Sequence, residues 1–345
     1  SIGDHLSLIA GSQGMHQTND NFGEETLIPD ATTNDFGLFS IANYDIKNFQ
    51  FQLGLRGDRR VIDTREQVTE ETDFPSLRKS YGNLNYSAGG MYGGENIIFR
   101  INLASGFRAP NTSELLSDGV HEGTHRYELG NPNLESEYAT QIDFTFDYRS
   151  GHFNFSFNPF FNYIDNYIFL SPIDSVIEEM PVYEYLQTKA RLYGGETGIH
   201  FHPHSFHWLH IESNLSIVIA EDNNGNALPL IPATRLNTLL KAEFSKTGNV
   251  RIKDVFFQHI YKFDQDRTGE FETSTPGYQL VNIGTNVGIA TRGKPIQISA
   301  GVKNLFNTRY IDHLSRLKPM EIPNPGINFY LGLKIGFATK IGKEL

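Results

Sequence analysis

Three runs decide the fold: NIIFRINLASGFR (96–108), QIDFTFDY (141–148) and HFNFSFNPFFNY (152–163). In the first, Ile97, Phe99, Ile101 and Leu103 alternate with Asn96, Arg100, Asn102 and Gly106. In the second, Ile142, Phe144, Phe146 and Tyr148 alternate with Gln141, Asp143, Thr145 and Asp147. In the third, Phe153, Phe155, Phe157, Phe161 and Tyr163 face one way, and Asn154, Ser156, Asn158 and Asn162 the other. A period of two held for about ten residues predicts long strands with one apolar and one wet face. The first two runs are separated by a mostly polar loop from Ala109 to Glu137, the last two by Ser150-Gly151. A long loop at one strand end and a tight turn at the other is the asymmetry of a membrane-spanning β-barrel.

The same pattern extends in both directions. Strand candidates lie at His5–Ala10, Phe36–Tyr44, Phe49–Arg56, Tyr81–Met91, Tyr185–Phe201, Trp208–Ala220, Ala233–Phe244, Val250–Phe263, Tyr278–Ala290 and Ile296–Leu305. The last candidate strand alternates most cleanly. Ile327, Phe329, Leu331, Leu333, Ile335 and Phe337 are interleaved with Asn328, Tyr330, Gly332, Lys334 and Gly336. About fourteen strands result, joined in strict alternation by turns of roughly two to five residues and loops of roughly ten to thirty. SPIDSVIEEMPVYE (171–184) reads as one of the loops. A soluble sandwich has strands of about five or six residues and no cause to sort its connections by length.

Composition agrees. Phe (26) and Tyr (16) far outnumber Trp (1) among the 345 residues, which suits strands and aromatic girdles. No apolar run of about eighteen residues exists, so no membrane helix is predicted. Cysteine is absent, which excludes disulfides and thiolate sites. A net charge of -11 argues against a nucleic-acid partner and suits a loop surface that gathers cations.

At SGFRAPNTSEL (105–115) the chain resembles the TonB-dependent outer-membrane receptors. The resemblance continues through GNPNLESE (130–137), RLYGGE (191–196), VKNLFNTRY (302–310) and PGINFYLGLKIGF (325–337), in the family's order. It implies an all-β, antiparallel up-and-down transmembrane barrel, with about 14 of 22 strands in residues 1–337 and a short periplasmic tail at 338–345. By the same resemblance, a plug domain and the first strands are expected outside this sequence. The implied partners are the TonB complex acting through that plug, outer-membrane lipid and a small extracellular ligand. The implied place is the outer membrane of a Gram-negative bacterium. No cofactor is required and no catalytic residue is expected: no nucleophile with a base and no phosphate-cradling loop can be placed. A passive porin or surface-binding barrel is the alternative, and a soluble carbohydrate-binding β-protein a third reading.

Two sets of residues stand out as candidate sites. The loop DGVHEGTHRYE (118–128) offers Asp118, His121, Glu122, His125 and Glu128. Imidazole with carboxylate suits zinc, copper or iron, and His121 and His125 would be the ligands of a bound metal ion, zinc or iron; the alternative is a polar loop whose histidines only form hydrogen bonds. This loop resembles that of a receptor subgroup associated with metal uptake. Arg56, Arg100, Arg235, Lys241 and Glu243 fall on the polar strand face and are expected to line the lumen. A denser cluster, His200, His202, His204, His207 and His210, falls at a short turn, and is read as interfacial or plug-facing rather than ligand-capturing. SGFRAPN is read as structural, with Pro110 and Asn111 fixing a bend.

Overall fold

The computed structural model describes residues 5–22, 27–68, 73–121, 126–244, 248–290 and 296–336. Phe337 and the tail at 338–345 lie outside them. The strands are β1 (Leu6–Asn19), β2 (Ala31–Ile46), β3 (Phe49–Thr64), β4 (Gln67–Val68), β5 (Asp73–Phe74), β6 (Arg78–Gly93), β7 (Ile97–Arg108), β8 (Asp118–His121) and β9 (Arg126–Leu129). They continue as β10 (Glu137–Arg149), β11 (Phe153–Ile177), β12 (Met180–Phe201), β13 (Leu209–Asp222), β14 (Arg235–Glu243), β15 (Val250–Lys262), β16 (Tyr278–Ile289), β17 (Ile296–Lys303) and β18 (Asn328–Ile335). Among the described residues a short α-helix, α1 (Thr112–Leu116), precedes β8, and a 3-10 turn spans Lys318–Met320 before β18.

Among the described residues sixteen strands form one sheet; β8 and β9 lie off its main path, which leaves fourteen in an antiparallel meander from β1 to β18. That is the barrel wall expected from the alternation. No helix among the described residues is long and apolar enough to cross a membrane. The wall carries no second layer among the described residues. Phe329 is 73% exposed, Leu331 78% and Leu333 65%. On β3, Phe49, Phe51, Leu53 and Leu55 are exposed as well. Fully burying such a side chain is worth about 1.5–3 kcal/mol. A belt of them facing outward is the arrangement a membrane barrel presents to lipid.

Several strands run past the predicted ends. β1 reaches Asn19 rather than Ala10, and β3 reaches Thr64 rather than Arg56. Segment 171–184, read as an acidic loop, is instead the top of a two-strand ladder. β11 and β12 pair as far as Ile177↔Met180, and Glu178 and Glu179 form the turn with φ of 52° and 64°. Two successive positive φ values are the geometry of a type I′ hairpin turn. Above the lipid both faces of a strand meet water, so alternation lapses while the ladder continues. The ladder is irregular between Ile164 and Tyr167 and between Pro172 and Val176.

Buried apolar residues collect at the long-connection rim. Ile62, Tyr81, Ala109, Leu115, Leu116, Leu134 and Ile168 form one cluster, and Ile164, Ala190, Ala220 and Leu228 a second. The connection between β7 and β10, which reads in sequence as a mostly polar loop, supplies Ala109, Leu115, Leu116 and Leu134 of the first. It contains α1 and the β8–β9 hairpin, whose β9 docks parallel to β12 through Val182↔Tyr127 and Glu184↔Leu129.

Candidate ligand-binding rim and lumenal wall

The long-connection rim is held by Arg108, the last residue of β7. Its guanidinium donates to both oxygens of Glu114 (2.7 and 2.8 Å) and to both of Glu137 (2.8 and 2.8 Å). Glu114 in turn closes a capping box on α1. Its backbone N–H donates to the Asn111 side chain at 2.8 Å, and its carboxylate accepts from the Asn111 N–H at 2.9 Å. Glu137 also accepts from the N–H of Ile168 at 2.6 Å. The motif GNPNLESE meets the same site: the N–H of Gly130 donates to Ser117 at 2.6 Å and that of Asn131 to Glu114 O at 2.8 Å. A Cβ on Gly130 would collide with the backbone N of Leu116 and Ser117. SGFRAPN is therefore structural, as read, but its working residue is Arg108, not the bend. The signal was present as Asn111 followed three residues later by Glu114.

The structure divides the predicted metal loop. The β8–β9 register pairs Asp118↔Leu129, Gly119↔Glu128, Val120↔Tyr127 and His121↔Arg126. Paired residues share a face, so His121, Arg126 and Glu128 lie on one side of the hairpin and Asp118 on the other. Asp118 accepts from the Tyr127 hydroxyl at 2.8 Å. Burial and this carboxylate push the Tyr127 phenol well above its usual pKa. Glu128 is 4% exposed, ion-paired to Arg126 at 2.7 Å, and accepts from Tyr185 at 3.3 Å. Its carboxylate is thus already engaged within the hairpin and by β12. Glu122 and His125 lie outside the described residues.

A second loop lock sits between β17 and β18. His313 is buried, with Nδ1 at 2.8 Å from Thr275 Oγ1 and 3.2 Å from Lys318 Nζ, and Nε2 at 3.7 Å from Glu272. Burial, with Lys318 beside it, lowers its pKa from 6.5, against the opposing pull of Glu272 and Asp312.

The five predicted lumenal charges all fall on the polar face, opposite residues such as Leu53, Ile101 and Leu240. Arg56 pairs with Asp58 at 2.6 Å and reaches Gln13 at 3.2 Å. Arg100 donates to the Met91 sulfur at 3.2 Å. Arg235 Nε is buried without a hydrogen-bond partner among the described residues. Lys241 and Glu243 form an ion pair, and Glu243 Oε2 lies 3.7 Å from His210 Nε2. The structure thus joins two sets that sequence reading kept apart, the lumenal charges and the short-turn histidines. His200 Nε2 and His210 Nδ1 are 3.1 Å apart, and the His202 ring lies 5.5 Å from that of His210. The ring of His152, from the β10–β11 turn, lies tilted at 45° against that of His204, with centroids 3.5 Å apart, and 4.7 Å from that of His202.

Solved structures share this architecture. The copper transporter OprC superposes with a TM-score of 0.77 at 16% identity, over 96% of this chain and 54% of its own. The FrpB iron transporter from Neisseria meningitidis gives 0.68 at 18% identity, over 96% and 53%. The Serratia marcescens hemophore receptor HasR, solved with hemophore HasA and heme, gives 0.69 at 15%, over 96% and 56%. The chain spans about half the length of these proteins. Residues 5–305 match the family described as TonB dependent receptor-like, beta-barrel, and the chain belongs to that family.

Proposed function

We propose that the receptor containing this chain sits in a Gram-negative outer membrane, captures a scarce extracellular ligand at its long-connection rim and imports it under the drive of the TonB complex. The observation that carries this reading is the division of the wall. Its long-connection rim is a folded platform with its own buried clusters, while an apolar belt anchors the strands below. A platform held rigid by Arg108 and α1 costs a ligand little ordering entropy on binding. Binding and passage suffice, and no bond chemistry is needed.

For cargo we favour a metal ion or small metal complex, with zinc and iron foremost. His121 on the β8–β9 hairpin, with His125 nearby in sequence, supplies imidazole at the platform, and copper, iron and heme are named for the similar structures. The test is uptake of radiolabelled zinc and iron by cells making the full-length receptor, with and without a working TonB complex. Uptake should need both receptor and TonB, and His121→Ala with His125→Ala should weaken zinc binding in calorimetry. Uptake without TonB would return the protein to the passive barrels. TonB-dependent cells that accumulate neither metal would remove the cargo class.

A further inference from the structure

The short-turn rim carries a group of side chains that ligand capture on the opposite side does not use. Among the described residues, His200, His202 and His210 place one ligand atom each within 4.8 Å of one another. The strand geometry causes this. His200 and His202 are two apart on one strand end and so share a face. β12 and β13 pair His200↔Glu212 and Phe201↔Ile211, and one further step of that register sets His202 across from His210. Ile199, Phe201 and Ile217 point outward and are exposed, so the three imidazoles project from the polar face.

We propose that His200, His202 and His210 form a binding site for one divalent cation of the zinc and copper type at the periplasmic mouth of the lumen. Neutral imidazoles are preferred ligands for these ions, and three of them leave a fourth position open. His210 is pre-oriented for the role. Its Nδ1 faces His200 Nε2, and its Nε2 faces Glu243. The Glu243 carboxylate, 3.7 Å behind the far nitrogen, is placed to accept its N–H when a cation takes Nδ1. In the metal-free protein His200 Nε2 and His210 Nδ1 face each other across 3.1 Å; a cation would take that place, with each neutral ring keeping its one N–H on the nitrogen turned away from the metal. Zinc–nitrogen bonds of about 2.0–2.1 Å require the rings to draw inward slightly. The Lys241 ammonium works against a cation, and Glu243 neutralises it by pairing. An open, three-ligand site suits transient holding rather than structural closure, so it serves as an exit station for imported metal. That role, though not the site itself, rests on the metal-cargo reading above.

The experiment is calorimetric titration of chelator-treated, full-length receptor in detergent with zinc chloride, with barrel folding checked by heat-modifiable gel mobility. His200→Ala with His210→Ala should bind one equivalent fewer than the parent. His202→Gln, which keeps size and polarity, should lose the same equivalent. Glu243→Gln should weaken that equivalent about tenfold, and Glu196→Gln on the same strand should leave it unchanged. Parent and double-alanine receptor with equal stoichiometry and affinity would overturn the site. Loss of the equivalent in the variants, in cells that import no metal, keeps the site and overturns the exit role. Unaltered stoichiometry in cells that do import zinc overturns the site and spares the cargo reading.

Discussion

The two rims of this wall are built by different physics. At the long-connection rim, Ile62, Leu115, Leu116 and Ile168 are buried and Arg108 ties three segments together. At the short-turn rim, Phe206 and Trp208 are exposed, and His152, His200, His202, His204 and His210 crowd one another. The first is a small hydrophobic fold placed on top of a barrel. The second is a polar collar that takes its order from the ladder beneath it. The difference teaches that a barrel wall needs no core of its own, and that a core appears where loops must hold a shape.

A charge in the belt should damage both rims together and sets the scale. Leu331→Arg, on the outward face of β18, should destabilise the folded receptor by about 2–4 kcal/mol if it sits near the bilayer midplane. Denaturant unfolding in lipid vesicles measures this, and a midpoint equal to the parent's would mean that Leu331 does not touch acyl chains. Arg108→Ala should break the outer rim alone. Glu114 and Glu137 would be left without their cation, at a local cost of about 2–3 kcal/mol. That is less than the ~3–5 of a fully buried pair, because Arg108 is partly exposed. Hydrogen exchange should quicken in α1 and the β8–β9 hairpin and stay unchanged around His200 and His210. Equal quickening at both rims would erase the contrast.

The smallest effect concerns His313. The folded protein holds its proton more weakly than the unfolded chain does. Its contribution to loop order is therefore present above pH 6.5 and fades as pH falls below that value. Exchange protection of the segment from Asp312 to Lys318 should drop between about pH 7 and about pH 5.5, and His313→Gln should flatten the change. Protection that is the same at both pH values would show that His313 does not secure the loop.

Much of this was legible in the sequence where lipid imposes a rule. Phe329, Leu331 and Leu333 alternate because every second side chain meets acyl chains, and the strand count follows from that rule. The rule stops at the membrane surface. It gave no warning that β11 and β12 climb through 171–184, because Glu178-Glu179 lacks the Asn or Gly that usually marks such a turn. The β8–β9 hairpin was hidden for a related reason: four-residue strands carry too little period to read. Sequence reading placed Lys241 and Glu243 on the polar face. Their meeting with His210 depends on pairing between β13 and β14, which no local spacing contains.

The β11–β12 ladder has a mechanical consequence. A barrel strand needs about 9–11 residues to cross the bilayer, and β11 has 25, all the surplus lying on the side away from the short turns. At about 3.4 Å per residue the surplus is a mast on the order of 40 Å tall once tilt is allowed for. Its ladder is broken near Ile164 and Pro172, and such breaks bend a strand where they occur. The lower bend falls beside the apolar cluster that contains Ile168, so that cluster braces the foot of the mast.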